Sequence, residues 1–144
     1  MARFSHTTSQ GFADIPGMLP FVPITILRTD NFERITLHFK ASALVDSGST
    51  VNVLPYDFGE QLGFIWNPKH PDTPFIGTVF DGPALGVILF VKVADFRPVR
   101  LTFGWSQKTS AEVCLILGQT NFFDKFDIDF RKSTDYFEIV PVTA

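Results

Sequence analysis

The stretch Ala43-Leu44-Val45-Asp46-Ser47-Gly48-Ser49-Thr50 carries three apolar residues straight into an aspartate, then a run of small hydroxyl residues around one glycine. Apolar strand-formers resume at Val51-Asn52-Val53-Leu54-Pro55. Two short apolar segments flanking Ser-Gly-Ser-Thr predict two buried strands joined by a tight turn, with Asp46 at its entry. A lone carboxylate there is half of a catalytic device. Attack of water on a peptide carbonyl needs a base for the water and an acid for the carbonyl oxygen, and two carboxylates about 3 Å apart sharing one proton supply both. Gly48 lets the backbone bend close to the carboxylate and offers an amide, while Ser47 and Ser49 bring hydroxyls to orient or bridge it.

Outward from this turn the chain reads as strands. Phe21 to Leu27 and Arg34 to Phe39 flank the turn-forming Arg28-Thr29-Asp30-Asn31, predicting a hairpin, and Ala41 to Val45 forms a further short strand. Tyr56 to Leu62 predicts a short helix closed by Gly63, and the three prolines of residues 67–74 enforce a loop. Phe75 to Phe80 and Leu85 to Val93 predict a long hairpin with the small-residue tip Asp81-Gly82-Pro83-Ala84. Val99 to Trp105 and Val113 to Leu117 are further strands. A brief helix, Thr120 to Phe126 with Thr120 as its cap, precedes the alternating strand Phe126 to Phe130 and a last strand, Tyr136 to Val142. Residues 1–17 are polar and aperiodic and read as a flexible arm; residues 18–144 read as one domain. Many short strands with one or two short helices indicate an all-β barrel or sandwich.

Composition agrees and excludes much else. The chain has 144 residues, 45% hydrophobic and 19% charged, with 17 Phe against two Trp and two Tyr, enough for a core without metal or disulfide. A net charge of −3 with twelve scattered Lys and Arg argues against nucleic-acid partners. The single Cys114 cannot form an internal disulfide, and its apolar setting reads as a buried, inert thiol. No apolar run approaches the roughly 20 residues that cross a bilayer, and no secretory leader is evident at the N-terminus, so a cytoplasmic protein without membrane contact is expected. His6, His38 and His70 share no ligand spacing, so no metal or cofactor is expected, and His38 sits on the polar side of its strand. Asp57-Phe58-Gly59 matches three letters of a kinase motif without the rest of it. Asp127 and Asp129 fall on an outward face opposite Phe126, Ile128 and Phe130.

The Ala43 to Thr50 run resembles the signature of the pepsin and retropepsin superfamily, two hydrophobic residues followed by Asp, Thr or Ser, Gly, and Ala, Ser or Thr. Downstream, Leu115-Ile116-Leu117-Gly118-Gln119 resembles the same family's hydrophobic-hydrophobic-Gly segment, which crosses beneath the catalytic loop and leads into a helix. The Phe75 to Val93 hairpin lies between them, where the family carries its flap, a mobile hairpin that closes over bound peptide. The resemblance covers roughly residues 21 to 140 and implies a retropepsin-like acid-protease β-barrel. It implies an aspartic endopeptidase with Asp46 activating the nucleophilic water and Ser47 bonding across a dimer axis. Gly48 would donate its amide to the carboxylates, and Ser49 would support the outer oxygen of Asp46. Leu117 and Gly118 would pack under the loop, and Gly77, Thr78, Val79, Phe80 and Asp81 would be the flap residues near substrate. One such Asp in a chain too short for two lobes implies a homodimer sharing one site, with terminal strands (Phe4 to Phe12, and Ile139 to Val142) at the contact. The alternative is a catalytically inactive barrel of the same kind that binds peptides.

Overall fold

The computed structural model describes residues 1–5, 7–8, 18–32 and 34–142. Among the described residues, twelve strands and two short α-helices follow one another: β1 (Ala2–Ser5), β2 (Thr7–Thr8), β3 (Met18–Leu19), β4 (Phe21–Thr29), β5 (Ile35–Val45), β6 (Asn52–Leu54), α1 (Tyr56–Gln61), β7 (Phe75–Val79), β8 (Gly82–Val93), β9 (Val99–Ser106), β10 (Ile116–Leu117), α2 (Phe122–Lys125), β11 (Phe126–Arg131) and β12 (Tyr136–Pro141). The all-β reading with two short helices holds.

Six strands close into a barrel in the order β4-β5-β10-β6-β9-β8, and β8 returns to β4 through Ile24↔Val93 to Leu27↔Phe90. Closure is possible because β8, at 12 residues, is long enough to serve two neighbours on one side: its first residues pair with β7 and its last with β4. Closure pairs the β4 and β8 edges with each other, leaving the short β7 as an edge strand. Inside lie Val22, Ile24, Ile26, Leu54, Leu85, Val87, Leu89, Leu101, Phe103 and Trp105, all buried. Each such side chain contributes roughly 1.5–3 kcal/mol relative to exposure.

Beside the barrel, β1, β12 and β11 form a three-stranded antiparallel sheet, with Ala2↔Ile139 through Ser5↔Tyr136 on one side and Phe126↔Pro141 through Arg131↔Tyr136 on the other. Phe137 and Ile139 enter the core, and Phe4 stacks on Phe137 at 5.5 Å between ring centroids. Within the stretch read as an arm, Ala2–Ser5 is thus paired with β12 of its own chain; His6 and residues 9–17, Phe12 among them, lie outside the described residues. Phe126 is buried while Asp127 and Asp129 are exposed, as the alternation predicts, although Phe130 is also largely exposed.

Several boundaries move for physical reasons. The expected break at Lys40 is absent, since β5 runs unbroken for 11 residues against β4. The tip of the long hairpin is Phe80-Asp81, not Asp81 to Ala84, because Gly82, Pro83 and Ala84 already pair with β7. β10 is only two residues long, since Val113 turns back to donate its N–H to Thr109 O at 3.0 Å. Thr120 does not cap α2: the helix begins one residue later, where the Asn121 N–H donates to the Asp124 carboxylate at 3.2 Å. In α1 the letters Asp57-Phe58-Gly59 acquire a packing role. A Cβ on Gly59 would sit 2.1 Å from Trp105 Nε1, so only glycine admits the indole, whose N–H donates to Tyr56 O at 3.0 Å.

Candidate active site

The loop at Asp46 is built by a strand that runs alongside and then beneath it. β10 pairs parallel with the end of β5, Ile116↔Leu44 and Leu117↔Val45, so the Leu44 N–H donates to Leu115 O at 2.8 Å and the Asp46 N–H to Leu117 O at 3.0 Å. The chain then turns, with the Ser49 N–H donating to Asp46 O at 3.2 Å. Beyond β10, Gln119 gives its N–H to Ser49 O at 2.8 Å and its side-chain amide to Ser47 O at 2.7 Å, and Thr120 gives both its N–H and its hydroxyl to Thr50 O. Gly118 is where the two segments touch: a Cβ there would lie 2.5 Å from Val51 O and 2.7 Å from Ser49 O. Fully buried Asn52 fastens the crossing, accepting the Gly118 N–H at 2.8 Å and donating to Thr102 O and Thr120 O, both at 3.0 Å. The Leu115 to Gln119 segment therefore does cross beneath the aspartate loop.

At the loop itself Asp46 is half-buried, and Ser47 and Gly48 are exposed. Asp46 Oδ1 accepts the Gly48 N–H at 2.9 Å, the role expected of that glycine. Oδ2 has no hydrogen-bond partner among the described residues. The Ser49 hydroxyl does not reach the carboxylate; it donates to Val51 O at 2.7 Å, because the turn folds its side chain back on the outgoing strand.

Asp46 and Leu44 line two clefts. One, of about 370 Å³, is bordered by Leu19, Pro20, Val45, Ser47, Phe130 and Lys132. The other, of about 380 Å³, is bordered by Phe80, Lys108, Glu112, Val113, Cys114 and Ile116. Cys114 is half-buried, not sealed in the core as expected; burial pushes its thiol pKa up, and the nearby negative charge of Asp46 adds to this. A larger hollow of about 520 Å³ shares no lining residue with either cleft; of its ionic groups, Arg28 is engaged on Leu62 O and the Phe64 ring, and Asp30 on Arg34.

Of the five hairpin residues singled out, the structure brings Phe80 alone to the Asp46 cleft. Phe80 and Asp81 form a two-residue turn between the paired Val79 and Gly82, with φ of 53° and 62°. Left-handed backbone suits two-residue hairpins but costs a side-chain-bearing residue about 1–2 kcal/mol. Val79 packs near Gly104 on β9, Gly77 follows an irregularity in the β7–β8 register, and Thr78 and Asp81 are exposed.

Sequence reasoning missed Asn52, Gln119 and the 107–113 loop. Asn52 carried a signal, an amide in an otherwise apolar strand three residues past the Ser-Gly-Ser turn. Gln119 and the loop carried none, since polar residues after a strand read as solvent-facing until the chain is folded. Among the described residues no helix is long and apolar enough to cross a membrane, and no three His, Cys, Asp or Glu gather as metal ligands would.

Among solved structures, the chain is similar to a retropepsin-like aspartic protease from Rickettsia conorii, at 16% sequence identity and a TM-score of 0.49, over 85% of this chain and 94% of that one. No family model matches the sequence, and no curated protein does.

Proposed function

We propose that the protein is a retropepsin-like aspartic endopeptidase that hydrolyses peptide bonds as a homodimer, without cofactor. The observation that carries this reading is the Asp46 carboxylate: half-buried between two clefts, fixed through Oδ1 by the Gly48 amide, and left with Oδ2 unpartnered within the described chain. In a symmetric pair the exposed Ser47-Gly48 turn meets its copy, and two Asp46 carboxylates about 3 Å apart share one proton, one activating water and the other protonating the carbonyl oxygen. Phe80 closes one cleft over the bound peptide and excludes water from the reacting carbonyl.

The test is Asp46→Asn, which changes both carboxylates of the dimer at once. Peptide cleavage should vanish while the circular dichroism spectrum and unfolding midpoint stay close to wild type. Undiminished turnover in a folded Asp46→Asn protein would overturn the reading. Intact peptide binding by a wild-type protein without turnover would point instead to a binding module on the same barrel. Specific activity should also fall on dilution below the dimer dissociation constant.

A further inference from the structure

The cleft on the Phe80 side owes four of its lining residues, Lys108, Glu112, Val113 and Cys114, to the segment between β9 and β10. That segment is a compact turn: the Lys108 N–H donates to Ser106 Oγ at 3.0 Å, the Thr109 N–H to Glu112 Oε2 at 3.0 Å, and the Glu112 and Val113 N–H groups to Thr109 O at 2.9 and 3.0 Å. These bonds set its shape but not its position. Its position comes from the start of α1, fifty residues earlier. The Tyr56 N–H donates to Lys108 O at 2.8 Å, and the Asp57 carboxylate takes both donors of Ser110, the N–H on Oδ1 at 2.7 Å and the hydroxyl on Oδ2. Asp57 and Ser110 are partly buried, where such charge-assisted bonds are stronger than on an open surface. Both Asp57 oxygens being engaged, this carboxylate is built to hold, in contrast to Asp46.

We propose that the Asp57–Ser110 contact is the positioning device that sets one wall of the substrate cleft, and so decides whether a large apolar side chain fits beside Asp46. The proposal rests on the peptidase reading for the place of the cleft, though not on turnover itself. With the contact intact, Val113 lines a mainly apolar hollow of about 380 Å³ together with Leu44, Ile116 and Phe80. With it lost, the loop keeps its internal turn but is held to its surroundings through Lys108 O and, at its far end, Leu115 O, and the wall between them shifts. A pocket contact of this kind discriminates substrates by roughly 10–200-fold.

The experiment uses two peptides that differ in one residue beside the cleaved bond, Phe in one and Ala in the other. kcat/KM is measured for wild type, Asp57→Ala, Ser110→Ala and the double variant, and Kd for the same peptides with each substitution in an Asp46→Asn background, where binding is read without turnover. The preference for Phe over Ala should fall about tenfold in Asp57→Ala and less in Ser110→Ala, and the double variant should match Asp57→Ala, since both act through one contact. An unchanged preference in a folded variant, equal weakening of both peptides, additive losses, or no peptide binding by the Asp46→Asn protein would each overturn the proposal. Should Asp57→Ala not fold, Ser110→Ala decides by the same preference. Cleavage persisting in Asp46→Asn would defeat the peptidase reading alone, leaving the Kd preference to judge the wall.

Discussion

The two ends of the Asp46 cleft are held by opposite means. At the aspartate loop, a buried amide, a side-chain amide and a close glycine crossing tie three segments together, and no room remains for one extra carbon at Gly118. At the hairpin tip, Phe80 and Asp81 hold a left-handed turn at the end of an edge strand, with side chains where glycine would be at ease. Groups that must be placed to a fraction of an ångström are over-determined, whereas the segment that, on the proposed reading, admits and releases a peptide ends in a strained turn.

That contrast predicts that substitutions at the two ends change stability in opposite directions. Gly118→Ala should cost about 4 kcal/mol in chemical denaturation or prevent folding, because the new Cβ meets backbone oxygens that cannot step aside; a loss under about 1 kcal/mol would show that the crossing is looser than drawn. Next in size, Asn52→Ala should cost about 2–3 kcal/mol, since it strands the buried Gly118 N–H and deprives the part-buried Thr102 and Thr120 carbonyls of a donor. At the other end Asp81→Gly should stabilise the protein by about 1 kcal/mol, the strain of one left-handed residue. Destabilisation by that change would mean the turn is not strained, and the contrast would fail.

The smallest effect concerns another hairpin turn, between β4 and β5, which shows how a side chain secures a tip. There the Asp30 carboxylate caps the turn, and its pKa lies below its usual value of 3.8, chiefly through the Arg34 N–H against some desolvation, with the Phe32 N–H and the Arg34 guanidinium adding to the lowering. A carboxylate with a depressed folded-state pKa adds stability above its usual value and loses it as pH falls through the depressed one. Titration of the Asp30 carboxyl by NMR should give a midpoint below 3.8, with Phe32 and Arg34 amide protection declining over the same range. A midpoint at or above 3.8 would remove Asp30 from the cap.

How much of this was legible beforehand varies by residue. Asp46 and the Gly48 amide were readable because the turn is local: a carboxylate and an N–H two residues apart meet whenever that turn forms. The Leu115 to Gln119 crossing was readable through resemblance alone. Ser49 was misread because a hydroxyl in a tight turn has several backbone acceptors in reach, and only the path of the outgoing strand selects Val51 O. The hairpin tip was misplaced because Asp81-Gly82-Pro83-Ala84 has better turn chemistry than Phe80-Asp81, and pairing across β7 and β8 overrode it.

By itself, the sequence determined the all-β character, the order of the strands and the aspartate at the mouth of a Ser-Gly turn, since periodicity and turn chemistry act over a few residues. Only the tertiary structure decided which groups meet across long separations: Asn52 with Thr120, Gln119 with Ser47, Asp57 with Ser110, and Phe80 with the Asp46 cleft. The physical reason is that hydrogen bonds and van der Waals contacts act over a few ångströms, so partners tens of residues apart are chosen by how the barrel closes and by nothing written beside them in the chain.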